Sequence, residues 1–348
     1  MDNSARAGRR RRRLGFGVKA IAALFAVLGI GHAAHAQTRP AEPRSGGQLV
    51  NTIVPTNVRE MGQGPAIVLI HGLSAAMDWW DPIVPTLAEA HRVVTIDLLG
   101  HGGTEAPETG YEVANNAALV RQAMEQLGVT SATIVGHSYG GLVATAIAEQ
   151  YPEVVERLVI MNTPSAAVNP ALAEGVPDMP LVGEILAEIM TDDMVRGLLA
   201  NTFAPGFVIP DAYVADARRL TFAALQQTQA GGEAYRSAMA IHLRVASLSA
   251  QPAVLVIMSE LDAVVLPTDA ALWGAVPNAR VEVIPGVGHS PMIEAPARTA
   301  ELIAAFIAET QLPVADAAPA APAPEAGAPA VPLAAPIIVA PPAPPPAP

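Results

Sequence analysis

The residues best placed to do chemistry are Gly136-His137-Ser138-Tyr139-Gly140, a serine with glycine two positions away on either side. Ile134 and Val135 read as the end of a buried strand, and the small and apolar residues after Tyr139 suit a helix packed on a sheet. A G-x-S-x-G at such a junction is the pattern of a sharp strand-to-helix turn that lifts one hydroxyl out of the fold. A side chain at either flanking position would collide with neighbouring backbone, so glycine stands at both. Ser138 would then lie at a helix N-terminus, where free amides and the helix dipole favour developing negative charge. Taken alone, the five residues also fit an ordinary turn. The legible strand and helix around them favour the nucleophile.

A serine hydroxyl is a poor nucleophile near neutral pH and needs a base within hydrogen-bond reach. The chain offers eight histidines and no cysteine, which excludes thiolate chemistry and disulfides. The histidines are scattered, with no H-E-x-x-H or comparable ligand spacing, so neither a metal nor any other cofactor is expected.

With 348 residues, 51% of them hydrophobic, the chain can bury a large core and is long for one domain. Residues 1–36 hold Arg9 to Arg13, an apolar run and Ala34-His35-Ala36, the layout of a secretory signal cleaved after Ala36. The alternative is an uncleaved anchor, but the apolar run is shorter than the ~20 residues a membrane span needs. Arg12-Arg13 leaves a twin-arginine export route open. The expected location is therefore outside the cytoplasm, with no stable membrane insertion after cleavage. The remainder would hold 31 acidic against 13 basic residues, a formal charge of −18. Such a surface repels nucleic acid and anionic lipid, leaving a small-molecule substrate as the expected partner. Residues 313–348 are almost pure Ala and Pro, and proline cannot donate to a helix or sheet ladder. They are expected to be an extended tail, either a spacer at the cell envelope or a solvated end without a partner. Oligomeric state is left open.

Between the ends, apolar runs alternate with helical patterns. Short edge strands are expected around 53–54, in a 37–57 linker and edge-strand segment, and at 58, where the core begins, with buried strands at 66–70, 91–96, 132–135, 158–161, 253–258 and 280–284. Helices are expected over 113–127, closed by Gly128, and over 297–309. The alternation implies an α/β class with a mostly parallel twisted sheet flanked by helices. Residues 164–251 break the rhythm with helical patterns at 181–200, 211–230 and 233–248 and no strand. They are expected to form a helical cap over the serine, or else a bundle packed elsewhere on the sheet. The core would then comprise 58–163 and 252–312.

These residues together resemble the α/β-hydrolase family over about 58–306. His71-Gly72 resembles the family's oxyanion motif, Asp97-Leu98-Leu99-Gly100-His101-Gly102 its D-x-x-G-x-G loop, and Gly136 to Gly140 its nucleophile elbow. Met258-Ser259-Glu260-Leu261-Asp262 resembles the segment presenting the acid, although the family more often has glycine where Ser259 stands. Gly288-His289-Ser290-Pro291, with Glu294 and Pro296, resembles the histidine loop. The resemblance implies a triad of Ser138 as nucleophile, His289 as base and Asp262 orienting the imidazole, in the family's Ser, Asp, His order. It also implies an oxyanion hole made by the amides of Leu73 and Tyr139.

Each assignment has a rival. His137 adjoins the serine but would point away from it; His71 would hold the oxyanion loop; Asp97 and His101 would brace their own loop. Glu260 is the alternative to Asp262, and Glu294 is expected to cap or anchor the final helix. Met179, Met190, Met194, Phe203, Phe207 and Phe222 could line an acyl pocket or be plain core. The implied function is an exported serine hydrolase cleaving an apolar or uncharged carboxylic ester through an acyl-enzyme. Carbon–carbon bond hydrolases and cofactor-free perhydrolases share the triad and remain alternatives. A non-catalytic binding module on the same fold is the alternative from another class. Serine at the elbow argues against haloalkane dehalogenases and epoxide hydrolases, which use aspartate.

Overall fold

The computed structural model describes residues 38–165 and 189–310. The expected signal segment, residues 166–188 with Met179, and the Ala/Pro tail lie outside the described residues.

Among the described residues eight strands form one sheet: β1 (Gln48–Asn51), β2 (Pro55–Met61), β3 (Ala66–Ile70), β4 (Arg92–Ile96), β5 (Ala132–His137), β6 (Val155–Met161), β7 (Ala253–Ser259) and β8 (Ala279–Ile284). Their order is β1-β2-β4-β3-β5-β6-β7-β8. All neighbours from β4 across to β8 are parallel, and β2 is antiparallel to both β1 and β4. The parallel strands read as continuous apolar runs because both sheet faces are covered. Ile67, Leu69, Val135, Val159 and Ile257 join one core, with Trp80, Leu87 and Ile303. Val68, Ile70, Ile134, Ile160 and Val256 join the other, with Leu119, Leu142 and Ile147. Alternate residues of a strand thus serve opposite faces, as the two-residue period requires.

Seven helices of six or more residues accompany the strands among the described residues: α1 (Val113–Gln126), α2 (Tyr139–Gln150), α3 (Asp192–Leu199), α4 (Asp211–Arg219), α5 (Phe222–Ala238), α6 (Ile241–Ala246) and α7 (Pro296–Thr310). Gly128 (φ +68°) ends α1 as expected: Val129 N–H reaches Met124 O at 2.8 Å and Gly128 N–H reaches Glu125 O at 3.0 Å, the bonds of a left-handed C-terminal cap.

Helices α3 to α6 fall between β6 and β7, with two departures from the expected boundaries. The 211–230 pattern is broken because Leu220 is extended and the Thr221 hydroxyl accepts from Ala224 N–H at 3.1 Å, starting a new helix. That helix, α5, then runs through Gly231 and Gly232, where the sequence pattern puts a break. Both glycines are there for close approach. A Cβ on Gly231 would stand 2.9 Å from the Tyr111 carbonyl, and one on Gly232 would stand 3.2 Å from the Tyr139 ring. The break comes instead at Met239, which is extended.

Candidate active site

Ser138 has φ 52° and ψ −118°, a conformation that costs a non-glycine residue on the order of 1–3 kcal/mol. Its surroundings hold it there. Ser138 N–H donates to Met161 O at 2.9 Å, and its carbonyl accepts from Gly141 N–H at 3.0 Å. A Cβ on Gly136 would strike the Gly140 carbonyl, and one on Gly140 would strike the carbonyls of Ile70 and His71. Both motif glycines are therefore required by the turn. Ser138 is half-buried between fully covered His137 and Tyr139.

Beyond the end of β7, Asp262 turns one carboxylate oxygen to the amides of Val264 and Val265, at 2.7 and 2.9 Å. Its other oxygen lies 2.8 Å from Nδ1 of His289, and both residues are buried. A carboxylate can only accept, so Nδ1 carries the proton and Nε2 is the ring atom open to act as a base. The carbonyl of His289 accepts from His137 Nε2 at 2.7 Å and from Asn162 Nδ2 at 3.0 Å. The histidine loop is thus fastened to the residue preceding the serine, and the two imidazole rings lie 4.9 Å apart. The stretches bearing Ser138, Asp262 and His289 meet at the ends of β5, β7 and β8.

The loop after β3 completes this edge. Gly72 lies against the elbow, since a Cβ there would stand 3.0 Å from Ser138 Cβ. His71 Nδ1 donates to Gly72 O at 2.7 Å, while Nε2 accepts from Leu98 N–H at 3.1 Å. His101 donates through Nδ1 to Leu99 O at 2.8 Å and accepts at Nε2 from Ser74 N–H at 3.3 Å. Each ring uses one nitrogen as donor and the other as acceptor, so each is neutral. Burial pushes His71 down to about 4 and His101, also facing His71, to about 3. The His71–Asp97 approach of 3.9 Å is accordingly not an ion pair. Asp97 braces its loop as expected, accepting from Met77 N–H, Gly103 N–H and Asn57 Nδ2, each at 2.8 Å. Leu73 N–H has no hydrogen-bond partner among the described residues, and the first amide of α2, that of Tyr139, has none within its helix.

The rivals find other work. His137 gives its Nε2 proton to the His289 carbonyl, and burial and the neighbouring His289 hold its pKa well below the usual histidine range. Glu260 is exposed and accepts from Gly286 N–H at 2.8 Å. Glu294 differs from expectation: it receives Ala204 N–H (2.7 Å), Gly288 N–H and Ser290 N–H (both 3.1 Å). It grips the histidine loop and the inserted segment: its Ser290 donor opens the short helix Pro291–Glu294, and none of the three donors belongs to α7. Of the suggested acyl-pocket residues, Met194 is exposed, Met190 and Phe222 are half-buried, and Phe207 stacks on buried Phe203 at 4.9 Å. Phe203 in turn lies 5.9 Å from Trp79 in the loop after β3. Asn162 is a site residue that sequence reasoning misses; its only local signal is the Asn-Thr-Pro punctuation after β6.

The insertion approaches this same edge. Gly288 lies against the backbone of Phe203 and Ala204, Gly100 against Ala224, and Arg219 Nε donates to Gly102 O at 3.2 Å. Among the described residues no group of three His, Asp or Glu could hold a metal ion, and no helix is long and apolar enough to cross a membrane.

A sequence profile described as the alpha/beta hydrolase fold matches residues 65–188. An uncharacterised Mycobacterium tuberculosis protein is 30% identical over 267 residues, covering 73% of this chain and 78% of its own. The chain belongs to the α/β-hydrolase family. Among this hydrolase's relatives, 2-hydroxymuconate semialdehyde hydrolase of Pseudomonas sp. (strain CF600) is 29% identical, over 77% of this chain and 95% of its own. The solved structure of Est816, titled an N-acyl homoserine lactone degrading enzyme, matches with TM-score 0.60 and 25% identity, covering 74% of this chain and 99% of its own. A hydrolase from Pseudomonas aeruginosa PA01 gives TM-score 0.63 at 24% identity, over 76% of this chain and 99% of its own, which bears on the fold alone. With hydrolases matched over nearly their whole length, the chain is an α/β-hydrolase enzyme, and the binding-module alternative is set aside.

Proposed function

We propose that this hydrolase works through Ser138 as nucleophile, His289 as general base and acid, and Asp262 as the group fixing the His289 tautomer. Ser138 Oγ attacks the substrate carbonyl as its proton passes to His289 Nε2. The amides of Leu73 and Tyr139 receive the oxyanion, a contribution of roughly 3 kcal/mol per donor. Collapse of the tetrahedral intermediate expels the leaving group, which takes the proton from His289, and water then releases the acyl group by the reverse sequence.

The observation that carries the reading is the buried 2.8 Å contact between Asp262 and Nδ1 of a histidine whose own carbonyl is tied to the residue before Ser138. Ser138→Ala should keep the fold and lose turnover of short p-nitrophenyl esters and fluorophosphonate labelling. A mutant retaining most of its activity would end the proposal.

For the substrate, an uncharged or apolar carboxylic ester is the first reading, supported by the lactone-degrading neighbour. Carbon–carbon bond hydrolysis is favoured to a similar degree by the relative that hydrolyses 2-hydroxymuconate semialdehyde. A panel of esters of increasing acyl length beside a vinylogous diketone separates them: diketone cleavage without ester turnover would replace the first reading with the second. Export is part of the proposal and rests on the N-terminal pattern alone. Intact mass of exported protein should begin at Gln37; a mass beginning at Met1 would remove it.

A further inference from the structure

Asn162 follows β6 with φ +42°, in the left-handed region that few side chains other than asparagine enter. It is fully buried. If the backbone alone dictated this position, glycine would serve at less cost. What asparagine adds is a side-chain amide, and among the described residues each partner of that amide belongs to the segments that carry Asp262 and His289. Nδ2 donates to Ser259 Oγ at 2.8 Å, to His289 O at 3.0 Å and to Gly288 O at 3.3 Å. Two of the three are carbonyls, which accept only, so the NH2 group must face them. One hydrogen meets Ser259, and the other is shared between the two carbonyls of the histidine loop. The amide oxygen is buried without a partner among the described residues, so the donors set the orientation.

Ser259 gives the same interaction from the other side. It ends β7 with no exposed surface, shortly before Asp262, and its hydroxyl meets Asn162. A hydroxyl buried there would stand unsatisfied if the amide were removed. The serine that departs from the family's commoner glycine is thus matched to Asn162.

We propose that Asn162 is a positioning residue of this hydrolase: its amide joins the segment that carries Asp262 to the loop that carries His289, and Ser259 is its matched acceptor. His137 supplies the second donor to the His289 carbonyl, so the base is held from the ends of both β5 and β6. Asn162 touches no reacting atom. It acts by keeping the imidazole at the distance from Asp262 at which Nδ1 stays protonated and Nε2 remains basic. The inference rests on the assignment of His289 as base.

The test is a double-mutant cycle of Asn162→Gly and Ser259→Ala, assayed on p-nitrophenyl butyrate per fluorophosphonate-titrated site. Glycine accepts the positive φ, so the first variant removes the amide without straining the chain. Asn162→Gly should lower kcat about 10- to 100-fold with KM within about 3-fold, and should displace the acidic limb of the kcat/KM profile. Ser259→Ala should lower kcat by roughly 3- to 10-fold, and the double variant should be no slower than Asn162→Gly, because both changes break one contact. Full kcat per titrated site and an unchanged pH profile in Asn162→Gly would overturn the proposal, as would strictly multiplicative losses. Should Asn162→Gly fail to unfold cooperatively, Ser259→Ala decides alone, and its wild-type kcat would overturn the proposal. Ser138→Ala and His289→Ala are run alongside. Turnover in either defeats the assignment of the base, whereas two dead controls beside a fully active Asn162→Gly defeat only the positioning role.

Discussion

Asp262 gives one oxygen to two backbone amides and the other to His289, so asparagine there would preserve shape while changing charge and hydrogen-bonding sense. The introduced amide nitrogen would face Nδ1 as a donor, or, with the amide turned over, would face the Val264 and Val265 amides and leave them unmet. Either way the imidazole loses its fixed tautomer. Asp262→Asn should therefore lower kcat on the order of 10³–10⁴-fold and cost about 2 kcal/mol of stability, the scale of a hydrogen bond to a charged group. Steady-state assays beside calorimetry check this; retention of a tenth of the activity would pass the role to another carboxylate. Glu294 poses the complementary case, because its three amide partners include two that flank His289. Glu294→Gln keeps one accepting oxygen and turns an NH2 toward donors. It should cost about 2 kcal/mol of stability, the scale of a hydrogen bond to a charged group, and lower kcat with it. Urea unfolding of that variant at the wild-type midpoint would contradict the assignment.

At the level of elements, α4 carries Asp216, whose nearly buried carboxylate stands 3.5 Å from Arg44 in the segment before β1. Burial first, and then Asp78, raise its pKa from 3.8 to about 6, with Arg44 only partly opposing. A raised folded pKa means that the stabilising contribution is complete below 3.8 and lost as pH rises through about 6. Above that the charged form burdens the fold by an amount on the order of 3 kcal/mol, from 1.4 kcal/mol per unit. Asp216→Asn should thus stabilise the protein at pH 7.5 by roughly 1–2 kcal/mol, less than the full amount because the Arg44 contact is lost. Equal denaturant midpoints for the two proteins would refute this. Elements were legible in the sequence to the extent that one periodicity ruled them. Strands β3, β4, β5 and β7 stand within a residue or two of expectation, since central parallel strands are unbroken apolar runs. The Gly231-Gly232 pair misled because glycine signals a break locally, whereas here it answers to Tyr111 and Tyr139, distant in sequence. Ser138, Asp262 and His289 could be put forward as candidates from the sequence because their motifs are local. Asn162 was not, since its meaning depends on carbonyls supplied by the far loop of the chain.

Across the whole molecule, three neutral histidines, His71, His101 and His137, are sealed beneath the active-site edge. All have folded pKa values below the 6.5 of the open chain, with burial the first cause in each. Above pH 6.5 both folded and unfolded states hold them neutral, and the contribution of these three rings to stability is complete. As pH falls below that, the unfolded chain takes up protons that the folded rings refuse, and stability drops until the folded values near 4 and 3 are reached. Asp216 opposes this, because in the same window the folded state is the one that holds its proton. Asp81 and Asp269, also raised by burial, oppose it to a smaller degree. Near pH 5 three rings that refuse protons outweigh Asp216, so the balance favours the unfolded chain and stability falls with pH. Urea midpoints taken from pH 7.5 down to 4.5 should therefore fall steadily below about 6.5, and Asp216→Asn should steepen the fall by nearly one proton. A flat profile, or one rising toward acid, would mean that these rings accept protons in place, and that the loop after β3 is not held by neutral imidazoles.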